Sequence, residues 1–236
     1  RRMATSSTTA FSIRSLTFAH ERTVPVHPVL VPVVGSGLVR GQTVMCTGPA
    51  SMSCATALLV APTQHGSWAA VMGVPSFGVL AAADMGVALE RIVFVDDPHR
   101  VGADAANVLG ALVDGFDLVV TSADVMSSLS PSLARRFATR LQSRGAVCIV
   151  VDDTRAISAD LRLDTEVSAW SGIGDGHGRL CTRRVRVDVD GRRHRQSRRD
   201  GSLRHEVLLP GPGGQLEEID AVNVPDGSVV RLRSVP

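Results

Sequence analysis

The sequence predicts an α/β fold: a mostly parallel sheet with helices on both faces, closed by a C-terminal β-hairpin. Three observations predict it. From Gly41 to Asp152, short apolar runs alternate with helix-like stretches. The runs are nearly continuous in apolar residues, the pattern of strands buried on both faces. After Asp153 the periodicity changes to two, as in antiparallel strands.

The expected strands are TVMCT (43–47), SWAAVMG (67–73), RIVFVDD (91–97), FDLVVTS (116–122) and AVCIVVDD (146–153). Helices are expected between them at GVLAAADMGVALE (78–90), ADAANVLGALVDG (103–115) and PSLARRFATRLQSRG (131–145). The last has Pro131 at its start, Gly145 at its end, and Leu133, Phe137 and Leu141 four apart on one face. Beyond it, LRLDTEVSAW reads as a strand and GRLCTRRVRVDVDGRRHR alternates side chains. Asp190-Gly191 is a type I′ hairpin signal, and HEVLLP (205–210) is the expected returning strand after the loop QSRRDGS. Residues 1–34 are expected to form a flexible N-terminal arm, 35–210 the core, and 211–236 a Gly/Pro-punctuated, partly ordered tail.

At 236 residues and 44% apolar composition the chain can bury one ordinary core. No apolar run reaches the ~18 residues of a membrane span, and the Ser/Thr-rich beginning lacks the apolar stretch of a signal peptide. A cytoplasmic protein is therefore expected. The cysteines Cys46, Cys54, Cys148 and Cys181 form no C-x-x-C pair, so no zinc or other metal site is expected and the thiols read as buried. Net charge is only +2, and every basic side chain is Arg. Lys and Tyr are both absent, the bias of a GC-rich genome, so Arg abundance alone says little. Ten of the 25 arginines nevertheless fall between Arg179 and Arg204.

The stretch CTGPASMSCATALLV (46–60) lies between the first strand and an apolar helix, where a phosphate loop belongs. A working loop reads G-x-x-x-x-G-K-[ST]: glycines let amides curl round phosphates, Lys supplies a cation, and the hydroxyl holds magnesium. Here the residues are Gly48, Pro49, Ala50, Ser51, Met52, Ser53, Cys54 and Ala55. Ser53 replaces the second Gly, Cys54 the Lys and Ala55 the hydroxyl, with Thr56 one residue too late and nothing in place of the cation. A charge-assisted hydrogen bond contributes roughly 1.5–3 kcal/mol, so losing the Lys costs about one to two powers of ten in affinity. The strand-end Asp that would hold magnesium is replaced by Thr121, followed by Ser122. Asp152-Asp153 is a second acidic strand end, read either as a substitute or as a turn cap. No catalytic residue and no cofactor are expected.

With Gly37-Leu38-Val39-Arg40-Gly41-Gln42 before the first strand, the GP-initiated loop and the successive strand–helix units, residues 35–210 resemble the RecA/KaiC-like ATPase core. RVRVDVDGRRHRQSRRDGSLRHEVLLPG is similar in layout to RecA's terminal hairpin. Within that superfamily the chain resembles the ImuA group, especially the actinobacterial ImuA′ type. The resemblance implies a RecA-like three-layer core and an accessory role in DNA-damage-induced mutagenesis. The implied partners are an ImuB-type Y-family polymerase-like protein, with a DnaE-type error-prone polymerase, RecA and DNA as further candidates. RecA's catalytic Glu follows its second strand, and Val74 stands near that place here. With cation, hydroxyl, strand-end Asp and Glu all replaced, the resemblance implies a pseudo-ATPase.

Two alternatives remain beside an adaptor: a RecA-like DNA-binding protein with residual ATP binding, and a SulA-like cell-division inhibitor. Candidate phosphate contacts for DNA are Arg183, Arg184, Arg186, Arg192, Arg193, Arg195, Arg198 and Arg199. Their competing reading is a charge-balanced exposed strand face, and no aromatic side chain interleaves the cluster to stack on bases. Candidate partner contacts are Phe11, Ile13, Leu16 and Phe18 in the arm, and Val229, Val230 and Leu232 in the tail.

Overall fold

In a computed structural model of the chain, the described residues are 22–96, 104–173, 178–191 and 204–219. Two short antiparallel strands, β1 (Thr23–Val24) and β2 (Leu38–Val39), bracket a single 3-10 turn (Pro28–Leu30) and helix α1 (Val31–Val34). There follow β3 (Thr43–Thr47), α2 (Ser51–Gln64), β4 (Ala69–Met72), α3 (Val79–Met85) and β5 (Ile92–Val95). Next come α4 (Ala105–Gly115), β6 (Leu118–Ser122), α5 (Ala123–Ser127), α6 (Pro131–Arg144) and β7 (Val147–Val151). Four strands end the described chain: β8 (Leu161–Ile173), β9 (Gly178–Gly191), β10 (Arg204–Leu208) and β11 (Glu217–Glu218).

The main sheet has nine strands in the order β11-β10-β9-β8-β3-β7-β6-β4-β5. Its pairs from β8 through β3, β7, β6 and β4 to β5 are parallel; β9, β10 and β11 add on antiparallel. Alternate residues of the parallel strands enter opposite cores, as the period of a strand requires. One core joins Val44, Leu118, Val120, Ile149, Leu163, Val185 and Val187 to α2. The other joins Met45, Met72, Val119, Cys148 and Val150 to Leu109, Val113, Met126, Phe137 and Leu141 from α4, α5 and α6. This is the three-layer α/β sandwich expected from the sequence.

The best-written helix is α6. Ser130 accepts a hydrogen bond from Leu133 N–H, Pro131 occupies the first turn, and Gly145 ends the helix at φ 71°. Its apolar side, Ala134, Phe137 and Leu141, is buried.

Three expectations change. The helix expected over 78–90 stops at Met85, because Gly86 takes φ 98° and its N–H bonds back to Ala82 and Ala83 carbonyls; Leu89–Arg91 forms a separate 3-10 turn. Asp190-Gly191 is not a hairpin turn: both residues sit inside β9, opposite Arg162 and Leu161 of β8. The long pairing with β8 outweighs the local turn preference. Finally, the part of the arm that is described joins the body: Val24, Val26, Leu30, Val33 and Val34 are buried in the α2-side core. Among the described residues no helix is long and apolar enough to cross a membrane.

Candidate phosphate-loop site

The loop leaves the end of β3, whose five residues are all buried, and enters α2. Gly48 turns it at φ 87°. A β-carbon there would stand 2.0 Å from the Thr165 carbonyl oxygen and 2.9 Å from its Oγ1, so only Gly fits. Ser51 N–H then donates to Gly48 C=O at 3.0 Å, closing a tight turn rather than an open nest.

Several amides of the loop are occupied from within. Pro49 has no N–H. Ala50 N–H donates to Thr165 Oγ1 at 3.0 Å, and that hydroxyl donates to Thr47 C=O at 2.6 Å. Thr47 Oγ1 donates to Asp164 Oδ1 at 2.8 Å. Cys54 N–H continues the helix to Ala50 C=O. Strand β8 therefore clamps the loop through Asp164 and Thr165, which the parallel register sets beside Thr47.

Negative charge also approaches. Asp152, at φ 70° just past β7, donates its N–H to Cys46 C=O at 2.9 Å and accepts from Ser51 Oγ at 2.7 Å. A carboxylate on the first turn of α2 stands where an incoming phosphate would bring a like charge. Asp153 turns away to an ion pair with Arg162.

The site does hold a cation, which the sequence does not announce. Arg183 of β9 donates through Nη2 to Ser53 Oγ and through Nε to Leu209 C=O at 2.7 Å, and its guanidinium lies 5.2 Å from the Trp170 ring centre. It is only 9% exposed, and burial draws its pKa below the usual Arg value. Arg183 is thus an internal tie and not an exposed phosphate contact.

The remaining loop positions face inward. Cys54 and Ala55 are buried. Cys46, fully buried, is hydrogen-bonded to Cys54; that contact and burial push its thiol well above the ordinary range. Burial lifts Cys148 to about 12. Cys46 and Cys148 are therefore held as thiols at neutral pH and are poor nucleophiles. Thr56 does not stand in for the magnesium hydroxyl: its Oγ1 back-bonds to Met52 C=O at 2.9 Å inside α2. Met52 packs against the α2-side core.

At the other strand end, Thr121 shares a face with Val119, on the α4–α6 side and away from the loop; it is fully buried and its Oγ1 has no hydrogen-bond partner. Ser122 turns to the α2 side but accepts from Val125 N–H at 3.3 Å, capping α5. Val74 packs against the α2-side core. Among the described residues no three His, Cys, Asp or Glu side chains converge as a metal-binding group.

The two other described candidates for DNA contact are paired. Arg186 meets Glu166 at 2.6 Å and Glu206 at 3.9 Å; Arg184 meets Glu206 at 3.9 Å. Arg192, Arg193, Arg195, Arg198 and Arg199 lie outside the described residues, as do Phe11, Ile13, Leu16, Phe18, Val229, Val230 and Leu232. Sequence reasoning missed Asp164, Thr165 and Arg183 as loop partners. Only Asp152 carried a signal, as the acid ending an apolar strand.

Comparison with known proteins bears on the fold and the family. FlaH, a flagellar accessory protein from Methanocaldococcus jannaschii, superposes with a TM-score of 0.56 over 84% of this chain and 99% of its own, at 10% identity. At that identity the likeness shows the fold, which is RecA-like. The uncharacterized protein Rv3395c of Mycobacterium tuberculosis is 30% identical over 177 residues, 72% of this chain and 78% of that protein. The family described as the MT3502 N-terminal domain matches residues 31–156, from α1 through the loop to the acid that binds Ser51. The chain belongs to the MT3502 N-terminal domain family, carried here on a RecA-like fold with a phosphate loop closed by its own strands.

Proposed function

We propose that this protein is a non-catalytic RecA-like adaptor of DNA-damage-induced mutagenesis, binding an ImuB-type polymerase-like protein. The closed loop carries the reading. The Ala50 amide, which would meet phosphate, is spent on Thr165, Gly48 packs against the same residue, and the Asp152 carboxylate accepts from Ser51 on the first helical turn. Opening that cradle would break the buried Ala50–Thr165 hydrogen bond, at roughly 1–3 kcal/mol. The loop carries no Lys, and Arg183, the cation that the fold brings to it, is already tied to Ser53 and Leu209 C=O. A fold kept while its reaction site is filled serves by the surfaces it offers. The resemblance to the ImuA group names the partner.

The test is twofold. Equilibrium dialysis of the pure protein with labelled ATP and magnesium is expected to show no retention at micromolar nucleotide, and capture on an immobilised ImuB-type protein is expected to succeed. Magnesium-dependent ATP turnover that disappears when residues 48–56 are altered would overturn the non-catalytic reading. Failure to capture the ImuB-type protein would overturn the adaptor reading.

A further inference from the structure

The main sheet ends in two unlike edges. At one, β11 is only two residues long and both are Glu; shortness and charge are devices that keep a further strand from adding. At the other, β5 runs Ile-Val-Phe-Val with no charge, Pro or bulge, and among the described residues it pairs with β4 alone. Its outer backbone groups are open to a further strand, at the far side of the sheet from the hairpin strands β9 and β10.

Apolar exposure collects at the same place. Of the eight large exposed apolar side chains among the described residues, half are Val93 and Phe94 of β5 and Val79 and Leu80 of α3, so the exposure is concentrated and not scattered. Phe94 meets Phe77 edge to face, ring centres 5.5 Å apart, and Phe77 lies just before α3, so the β5 edge and the start of α3 are side by side. Leu80 is 76% exposed and Phe94 49%. The four expose on the order of 400 Å², the size of a functional patch but about half of the ~800 Å² that each partner of a standard stable complex buries. That area suits an extended segment and falls short of what a stable dimer of whole domains needs.

The surroundings are acidic. Glu90 and Asp96 flank β5, and Asp84 sits one turn beyond Leu80 on α3; all three are exposed, and no ion pair among the described residues holds them. Arg91, the one cation between Asp84 and Asp96, lies over Trp68 at 5.6 Å and donates to Gly66 C=O at 3.0 Å. An antiparallel second copy of β5 would bring the Glu90 end of one strand to the Asp96 end of the other, like charge against like. A segment with Lys or Arg on both sides of an apolar run meets both ends with opposite charge.

We infer that the β5 edge is a docking site for an extended segment of a protein partner, apolar at its centre and basic at both ends, which adds to the sheet as a further strand. Leu80, Val93 and Phe94 receive its apolar side chains, and Glu90 and Asp96 its basic flanks. The site stands apart from the phosphate loop, and its chemistry is the same whichever protein supplies the segment.

Fluorescence anisotropy with the full-length protein tests this, using a labelled octapeptide in which Thr-Val-Val-Phe-Val-Thr stands between two lysines. The peptide is expected to bind at least five-fold more tightly than the same core between two glutamates. A version N-methylated along its core, which cannot pair as a strand, is expected not to bind. Leu80→Gln is expected to weaken binding at least three-fold, and Leu80 is so exposed that its replacement leaves the core intact. Glu90→Gln combined with Asp96→Asn is expected to erase the preference for lysine over glutamate flanks. No binding of the lysine-flanked peptide, equal binding of the two flanked peptides to the parent, or unchanged binding in Leu80→Gln would overturn the inference. So would binding of the N-methylated peptide, or a flank preference that survives in the double variant. Sedimentation velocity is expected to show no dimer. A dimer that Leu80→Gln dissociates would assign the edge to a second copy and overturn the inference as well.

Discussion

Gly48 and Thr165 are in direct contact, the glycine lying where a β-carbon would be 2.0 Å from the threonine's carbonyl oxygen. The contact joins the turn after β3 to strand β8. Gly48→Ala combines that clash with a left-handed backbone, φ 87°. It is expected to lower unfolding free energy by more than about 2 kcal/mol, read from denaturant midpoints. An unchanged midpoint would mean that the loop is not held against β8.

Thr165→Val keeps the volume but removes the hydroxyl that accepts from Ala50 N–H and donates to Thr47 C=O. A buried amide left without its partner costs about 1–3 kcal/mol. The measurement that checks it is hydrogen exchange at Ala50, expected to quicken as the loop loosens. Slow exchange in the variant would show the amide to have another partner.

Arg183 and Trp170 make a second tie, guanidinium over ring at 5.2 Å. A double-mutant cycle of Arg183→Met and Trp170→Leu is expected to show a coupling of about 0.5–2 kcal/mol. Arg183→Lys is expected not to rescue, because Lys lacks the planar fork that reaches Ser53 and Leu209 together. Additive effects in the cycle would refute the tie.

Asp114 joins α4 to α6. Its hydrogen bond to Arg140, aided by the charges of Arg140 and Arg144, holds its carboxyl down to about 2. The unfolded value is near 3.9, so the folded state favours the ionised form. The resulting stability is present above pH ~4 and is lost as pH falls through about 2. The Asp114 carboxyl resonance is expected to titrate near 2, and Asp114→Asn to remove this contribution between those pH values. A midpoint near 3.9 would mean that the ion pairs do not form in solution.

The thiols should separate by burial. Cys46, Cys54 and Cys148 are buried, whereas Cys181 is half-buried in β9. Iodoacetamide at pH 8 is expected to modify Cys181 first in the native protein, the other three only after denaturant. Early labelling of Cys46 or Cys54 would mean that the loop region opens.

Much of this was legible before any coordinates. The run TVMCT, the capped helix from Pro131 and the acid ending AVCIVVDD are local patterns, in which each residue's preference agrees with its neighbours. GVLAAADMGVALE has a helical composition, but one glycine in the left-handed region outweighs it. At Asp190-Gly191, pairing with β8 along 161–173 outweighs a two-residue turn preference. Arg183 alternates like the surface arginines, and alternation alone does not say that its side chain reaches Ser53 of α2.

What the sequence determined by itself is the alternation of strands and helices from β3 to β7, and the loss of Lys and hydroxyl from the loop. Those follow from hydrophobic period and side-chain chemistry, which act over a few residues. Tertiary structure alone decided that the vacated loop is filled: Thr165 lies 115 residues from Ala50, Asp152 101 from Ser51 and Arg183 130 from Ser53. Such contacts depend on which strands lie side by side, and a register shared by distant strands leaves no mark in local spacing.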